Sequence, residues 1–142
     1  MITEDYVSFE IAKLLKEKGF DTPCDRWYSE YTPQYYGNEK HICIEFDKHN
    51  RHENNYEFIC YAPTLQMAMK WLRETQGLNI YARGVWKDVE ISVFGDWEPA
   101  VVGYEWFIES LTDDTYSKTS IEQFLTYEQA CEAAISYCLN LI

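Results

Sequence analysis

The sequence predicts an α+β protein with a mainly antiparallel sheet and three helices, in the order α-β-β-β-α-β-β-β-α. Apolar residues recur at helical spacing in three segments and alternate with period two in the segments between them. Consecutive predicted strands also lie close enough in sequence to be joined as hairpins, so long parallel crossovers are not needed.

Each predicted helix has a recognisable boundary. The first covers residues 6–18 and stops before Gly19, and the second follows the N-cap residue Thr64 and ends at Gly77. The third begins at Thr126-Tyr-Glu-Gln129, which matches a capping box. The three apolar stripes consist of Val7, Ile11, Leu14 and Leu15, then Leu65, Ala68, Met69 and Leu72, then Cys131, Ile135, Cys138 and Ile142.

Six segments between the helices are predicted as strands. Residues 24–31 would form an edge strand, and residues 41–46 and 56–61 would pair as a hairpin across a polar loop. Residues 80–86 and 89–94 would pair through a turn near Lys87 and Asp88. Residues 101–111 form the last strand, with Tyr104, Trp106 and Ile108 on one face.

Length and charge bound the organisation and the partners. The chain has 142 residues, which predicts a single domain over residues 1–142. It carries 24 acidic and 12 basic residues, a formal net charge of −12. Nucleic-acid binding normally needs a surplus of Lys and Arg, so no direct nucleic-acid binding is expected. A narrower alternative is that the acidic surface imitates nucleic acid.

The cysteines and the N-terminus indicate a cytoplasmic protein. Five cysteines, an odd number without C-x-x-C spacing, do not match a disulfide framework or a paired zinc site. Acidic residues stand near the N-terminus where a secretory signal carries basic ones. No apolar run approaches the roughly 18 residues of a membrane span. We therefore expect reduced thiols and no membrane partner.

Three stretches resemble segments of a known group. They are YVSFEIAKLLKEKGFD from Tyr6, PTLQMAMKWLRE from Pro63 and TYEQACEAAISYCL from Thr126. These resemble segments of small uncharacterised proteins encoded by gut bacteria, their phages and mobile elements. The resemblance covers the helices, roughly a third of the chain, and implies a phage or mobile-element origin. It implies no activity, cofactor or catalytic residue.

Residues with catalytic or metal-binding chemistry are sparse. His49 and His52 stand between Asp47 and Glu53, and all four are competent zinc ligands. The alternative is a solvated polar turn, which the order His-x-x-His-Glu favours because it is not the H-E-x-x-H motif. There is no G-x-S-x-G elbow and no Gly-rich phosphate loop. We predict no catalytic residue, no metal and no cofactor, with a small metal-dependent or hydrolytic enzyme as the alternative function.

Aromatic residues make up 17% of the chain, and this content favours protein binding. Aromatic residues and Met are enriched at interface hot spots. The predicted binding residues are Tyr28, Tyr31, Tyr35, Tyr36, Met67 and Trp71. The alternative is that such rings, Phe9 included, fill a second layer of the core. The leading prediction is a non-enzymatic accessory module that binds another protein or a second copy of itself.

Overall fold

The computed structural model describes residues 2–31, 41–46 and 56–142. Clustering of spatial neighbours divides the chain into two compact units, Met1–Ala68 and Met69–Ile142. Within the described residues, each unit contains a three-stranded antiparallel sheet. The elements follow the order α-β-β-β-α-β-β-β-α, so the predicted α+β class is confirmed.

Helix α1 (Phe9–Glu17) carries three residues of the predicted stripe, of which Leu14 is only half-buried, and Val7 lies before the helix. Val7, Ile11 and Leu15 are buried. The helix begins later than predicted because the Ser8 hydroxyl accepts a hydrogen bond from the Ile11 N–H (3.4 Å) as its N-cap. The residues before Ser8 are extended instead, and the Val7 N–H donates to the Pro63 carbonyl at 3.0 Å.

The sheet of the first unit consists of β1 (Arg26–Tyr31), β2 (His41–Phe46) and β3 (Tyr56–Tyr61) in the order β2-β1-β3. Two expectations are wrong here. Strand β1 is central rather than at an edge, and β2 and β3 do not form a hairpin. Trp27 lies opposite Glu45 on one side and Tyr61 on the other, so β1 satisfies its backbone polar groups from both neighbours.

Helix α2 (Leu65–Gln76) has the predicted boundaries. The Met67 N–H donates to the Thr64 hydroxyl at 3.2 Å, which caps the start of the helix. Gly77 follows its last residue with φ +63°, the left-handed conformation that commonly ends helices. The predicted stripe of Leu65, Ala68, Met69 and Leu72 is buried along its whole length.

The second sheet consists of β4 (Leu78–Glu90), β5 (Trp97–Ser110) and β6 (Ser117–Thr119) in that order. The predicted turn near Lys87 and Asp88 is wrong. Both residues belong to the continuous strand β4, where they pair with Ala100 and Pro99 of β5. The chain reverses over residues 92–95 instead, where Gly95 takes φ +81°. The two strands predicted over 80–86 and 89–94 are therefore largely one, and the third strand of this unit is β6.

Helix α3 (Tyr127–Leu141) packs against β4 and β5 and completes the core of the second unit. Its N-cap is confirmed, since the Thr126 hydroxyl accepts from the Gln129 N–H at 3.1 Å. Cys131, Ile135 and Cys138 are buried as predicted. The buried face of the sheet contributes Leu78, Ile80, Trp106 and Ile108.

Candidate functional site

The outer part of the β4–β5 hairpin, residues 86–102, exposes several large apolar side chains, and we call it the hairpin arm. Helix α3 buries the inner part of this ladder, including Ile80 and Ile108. From Trp86 to the turn and back to Val102, by contrast, no residue is buried. The arm is thus a long hairpin that extends past its own core.

Several large apolar side chains are exposed on this arm. Val93 and Phe94 at the turn are 92% and 91% exposed, and Trp86 and Trp97 on the strands are 66% and 60% exposed. Ile91, Val101 and Val102 are also exposed. Single exposed apolar residues are ordinary, but several on one hairpin are typical of an interaction site.

The turn of the arm is held by specific hydrogen bonds. The Ile91 N–H donates to the Asp96 carbonyl at 2.8 Å and closes the loop. The Ser92 hydroxyl donates to the Asp96 carboxylate at 2.7 Å and accepts from the Phe94 N–H at 3.2 Å. These bonds fix the backbone that presents Val93 and Phe94 to solvent, so a partner would meet a preorganised tip.

The pairing of β4 with β5 fixes the positions of Trp86 and Trp97 on the arm. Because successive side chains alternate, Trp86 and Glu90 share one face of β4. On β5, Val101 lies opposite Trp86 and Trp97 lies opposite Glu90. A bulge between Val85 and Trp86 shifts the register at the base of the arm. Trp86 and Trp97 are therefore about 13 Å apart along the strands, at roughly 3.3 Å per residue.

The structure describes four of the six residues predicted to bind a partner, and their role in binding stays a prediction. The Tyr28 ring packs edge-on against Phe9 (5.3 Å between centroids), and its hydroxyl donates to the Val7 carbonyl at 2.7 Å. Tyr31 stacks on Tyr56 at 4.8 Å. On α2, Met67 is 37% exposed and Trp71 is half-buried. Tyr35, Tyr36, His49 and His52 lie outside the described residues.

The arm was not predicted from the sequence because the turn was expected near Lys87 and Asp88, whereas the chain reverses over residues 92–95. Ser92 and Gly95-Asp96 are turn-forming residues between two β-rich runs, and they mark the true reversal. With the turn there, Val93 and Phe94 fall at the tip instead of in a strand. The exposure of Trp86 and Trp97 could not be predicted in the same way, because it depends on how far the two strands extend beyond the part that packs against α3.

Four of the described thiols have a raised pKa, which is the opposite of what nucleophilic chemistry needs. Burial raises the pKa of Cys138 to about 12 and also raises the pKa of the Cys60, Cys131 and Cys24 thiols. A reactive cysteine needs a lowered pKa. No group of three or more His, Cys, Asp or Glu side chains that could hold a metal occurs within residues 2–31, 41–46 and 56–142.

The second unit also has a shallow groove at its surface. It has a volume of about 430 Å³ and lies between α3 and the segment around β6. Trp106, Phe124 and Tyr137 give it an apolar lining, and Ser136 and Asn140 give it polar atoms. Its lining also includes one cation and one carboxylate, Lys118 and Glu122, which are not a set that specifies a ligand, so the hairpin arm remains the stronger candidate.

The chain matches no protein-family model, no curated protein and no solved structure. In the described part of the chain, none of the helices has the length and apolar character needed to cross a bilayer.

Proposed function

We propose that this protein is a binding module that engages another protein through its hairpin arm. The observation that carries the proposal is the exposure of Trp86, Val93, Phe94 and Trp97 on one ordered hairpin. Tryptophan is among the residues most enriched at interface hot spots, since it offers a large and rigid contact area. This is the protein-binding function expected from the aromatic content, carried by different residues.

Energetics favour such a use of the arm. Burying a large apolar side chain that is otherwise exposed contributes about 1.5–3 kcal/mol. Several such anchors are required, because association itself costs at least about 4 kcal/mol in lost freedom of motion. The hydrogen bonds of Ser92 and Asp96 reduce the further cost of ordering the tip on binding.

Affinity capture with arm variants tests the proposal. Wild-type protein is compared with Val93→Ser/Phe94→Ser in capture from a lysate of the source cell, and the captured protein is then purified and titrated by calorimetry. We expect the double variant to bind at least about tenfold more weakly, because it removes two apolar anchors.

The matched control is Ile121→Ser/Leu125→Ser. These two side chains are 100% and 83% exposed but lie outside the arm. The control should bind like the wild type, and circular dichroism should show that both variants are folded. Equal affinities for the wild type and the arm variant would show that the arm is not the binding surface.

A further inference from the structure

The hairpin arm combines apolar anchors with an excess of negative charge. It carries four carboxylates and one ammonium group, a net charge of −3. The carboxylates belong to Asp88, Glu90, Asp96 and Glu98, and the ammonium group belongs to Lys87. All five side chains are exposed.

These carboxylates lie among the exposed rings. Glu90 stands opposite Trp97 in the ladder, and Asp88 shares the face of Trp86 by strand alternation. Glu98 follows Trp97 on β5 and lies opposite Val89, so its side chain is on the opposite face of the hairpin from Trp86 and Trp97. Asp96 sits at the base of the turn, where its carboxylate accepts the Ser92 hydroxyl. A partner that covers the rings must therefore also contact carboxylates.

The four carboxylates of the arm are not paired with a Lys or Arg side chain of the described residues. Among the described residues, none of the four carboxylates has a cation within ion-pair distance, and the Arg83–Glu105 ion pair at 2.9 Å lies inward of the arm. Covering such carboxylates with an uncharged apolar surface would strip their water without compensation, which is costly. Cations on the partner would compensate for that loss and would also accelerate the encounter.

A second copy of this chain fits the arm poorly. Two arms facing each other would bring together two surfaces of net charge −3 on molecules of net charge −12. Like charges placed across an interface cost several kcal/mol. The same charges that favour a basic partner thus oppose self-association through the arm.

We infer that the arm binds a protein surface on which an apolar strip is bordered by Lys or Arg side chains. This inference rests on the proposed binding function and specifies the chemistry of the partner. The tip and the two tryptophans contact the apolar strip, and the surrounding carboxylates pair with its basic border.

Two synthetic amphipathic helical peptides probe this inference. One is built from Leu and Lys, and the other has the same pattern with Gln in place of Lys. Each is labelled with fluorescein and titrated by anisotropy against the full chain. At about 0.05 M NaCl we expect the Leu–Lys peptide to bind at least about tenfold more tightly, and at about 0.5 M NaCl the difference should shrink because salt screens exposed charges.

Two charge variants locate the effect. The first removes the arm charges through Asp88→Asn, Glu90→Gln, Asp96→Asn and Glu98→Gln. The second removes the same number of exposed charges elsewhere through Glu4→Gln, Glu17→Gln, Asp21→Asn and Asp25→Asn. We expect the first to weaken Leu–Lys binding about tenfold and the second to change it by less than about threefold.

The outcomes separate this inference from the proposed function. If both peptides bind the wild type equally and neither binds Val93→Ser/Phe94→Ser, the arm is a binding surface but does not select a partner with a basic border. Equal loss of Leu–Lys binding in the two charge variants would also contradict this inference, because the loss would then come from the overall charge of the protein and not from the arm carboxylates. If the Val93→Ser/Phe94→Ser variant binds both peptides like the wild type, the arm itself is excluded and both proposals fail.

Discussion

At the scale of single residues, burial sets the chemistry of the cysteines. Cys60, Cys131 and Cys138 are 1% exposed or less, and each packs in a core as a small apolar residue does. Desolvation disfavours the thiolate, so the pKa of each of these thiols is raised. They act as packing residues, and their ionisation is linked to unfolding.

Cys138 should make the protein less stable at alkaline pH. Its folded-state pKa of about 12 lies above the usual value of 9.0. Its contribution to stability is therefore fully present below about pH 9 and is lost as the pH rises toward 12, because the unfolded state then ionises first. Urea unfolding of wild type and Cys138→Ala at about pH 7 and about pH 10.5 should show a smaller pH-dependent loss in the variant.

The control for this experiment is Ile135→Val, which truncates a buried neighbour on α3 and has no ionisable group. It should lower the free energy of unfolding by about 1 kcal/mol at both pH values. A Cys138→Ala variant with the full wild-type pH dependence would assign the alkaline loss to other groups.

At the scale of elements, the hairpin arm depends on the geometry of its turn. Gly95 has φ +81°, and a Cβ added there would meet no atom within 4 Å. The requirement for glycine is therefore conformational and not steric crowding by neighbours. The loop-closing bond from the Ile91 N–H to the Asp96 carbonyl depends on this backbone conformation.

Gly95→Ala should loosen the tip without unfolding the protein. An L-residue in the left-handed region costs roughly 1–2 kcal/mol. Hydrogen exchange at the Ile91 amide should accelerate about tenfold or somewhat more, while exchange in α3 stays unchanged. Gly95→Asn is the matched control, because Asn tolerates this region better than other residues with a side chain, and it should give the smaller effect. Equal acceleration by both variants would show that the left-handed conformation does not hold the tip.

At the scale of the whole molecule, each unit has buried apolar residues of its own. Leu15 and Val7 are fully buried in Met1–Ala68, and Ile108 and Ile135 are fully buried in Met69–Ile142. Helix α2 includes residues of both units, and its stripe is buried on both sides of the boundary. The sequence-based expectation of one domain over residues 1–142 remains a prediction, and it concerns whether the two units unfold together.

A core truncation in the first unit tests this expectation. Leu15→Ala should lower the free energy of unfolding by about 2–5 kcal/mol. If the chain is one cooperative domain, native-state hydrogen exchange of the slowest amides in α1 and in α3 should accelerate together. Acceleration confined to α1 would indicate two independently unfolding units. Leu141→Ala, at a side chain that is 49% exposed, is the control and should change stability much less.

The helices and the fold class follow from the sequence because they depend on local information. Thr64, Thr126 and Gly77 mark helix boundaries through bonds and backbone conformations that involve only neighbouring residues. The stripe of Cys131, Ile135 and Cys138 follows from helical periodicity and is buried as predicted. Period-two alternation likewise identified strands, including Tyr56–Tyr61 with identical boundaries.

The order of strands and the exposed surface were decided by tertiary structure. Alternation shows that a segment is a strand, but it does not show which strand lies beside it, so the central position of β1 could not be predicted. The exposure of Trp86 and Trp97 also depends on distant residues, because they carry the same apolar signal as buried Trp106 on the same hairpin. What distinguishes them is that the buried residues of the ladder all lie inward of the arm, on strands against which α3 packs, and that packing joins segments far apart in sequence.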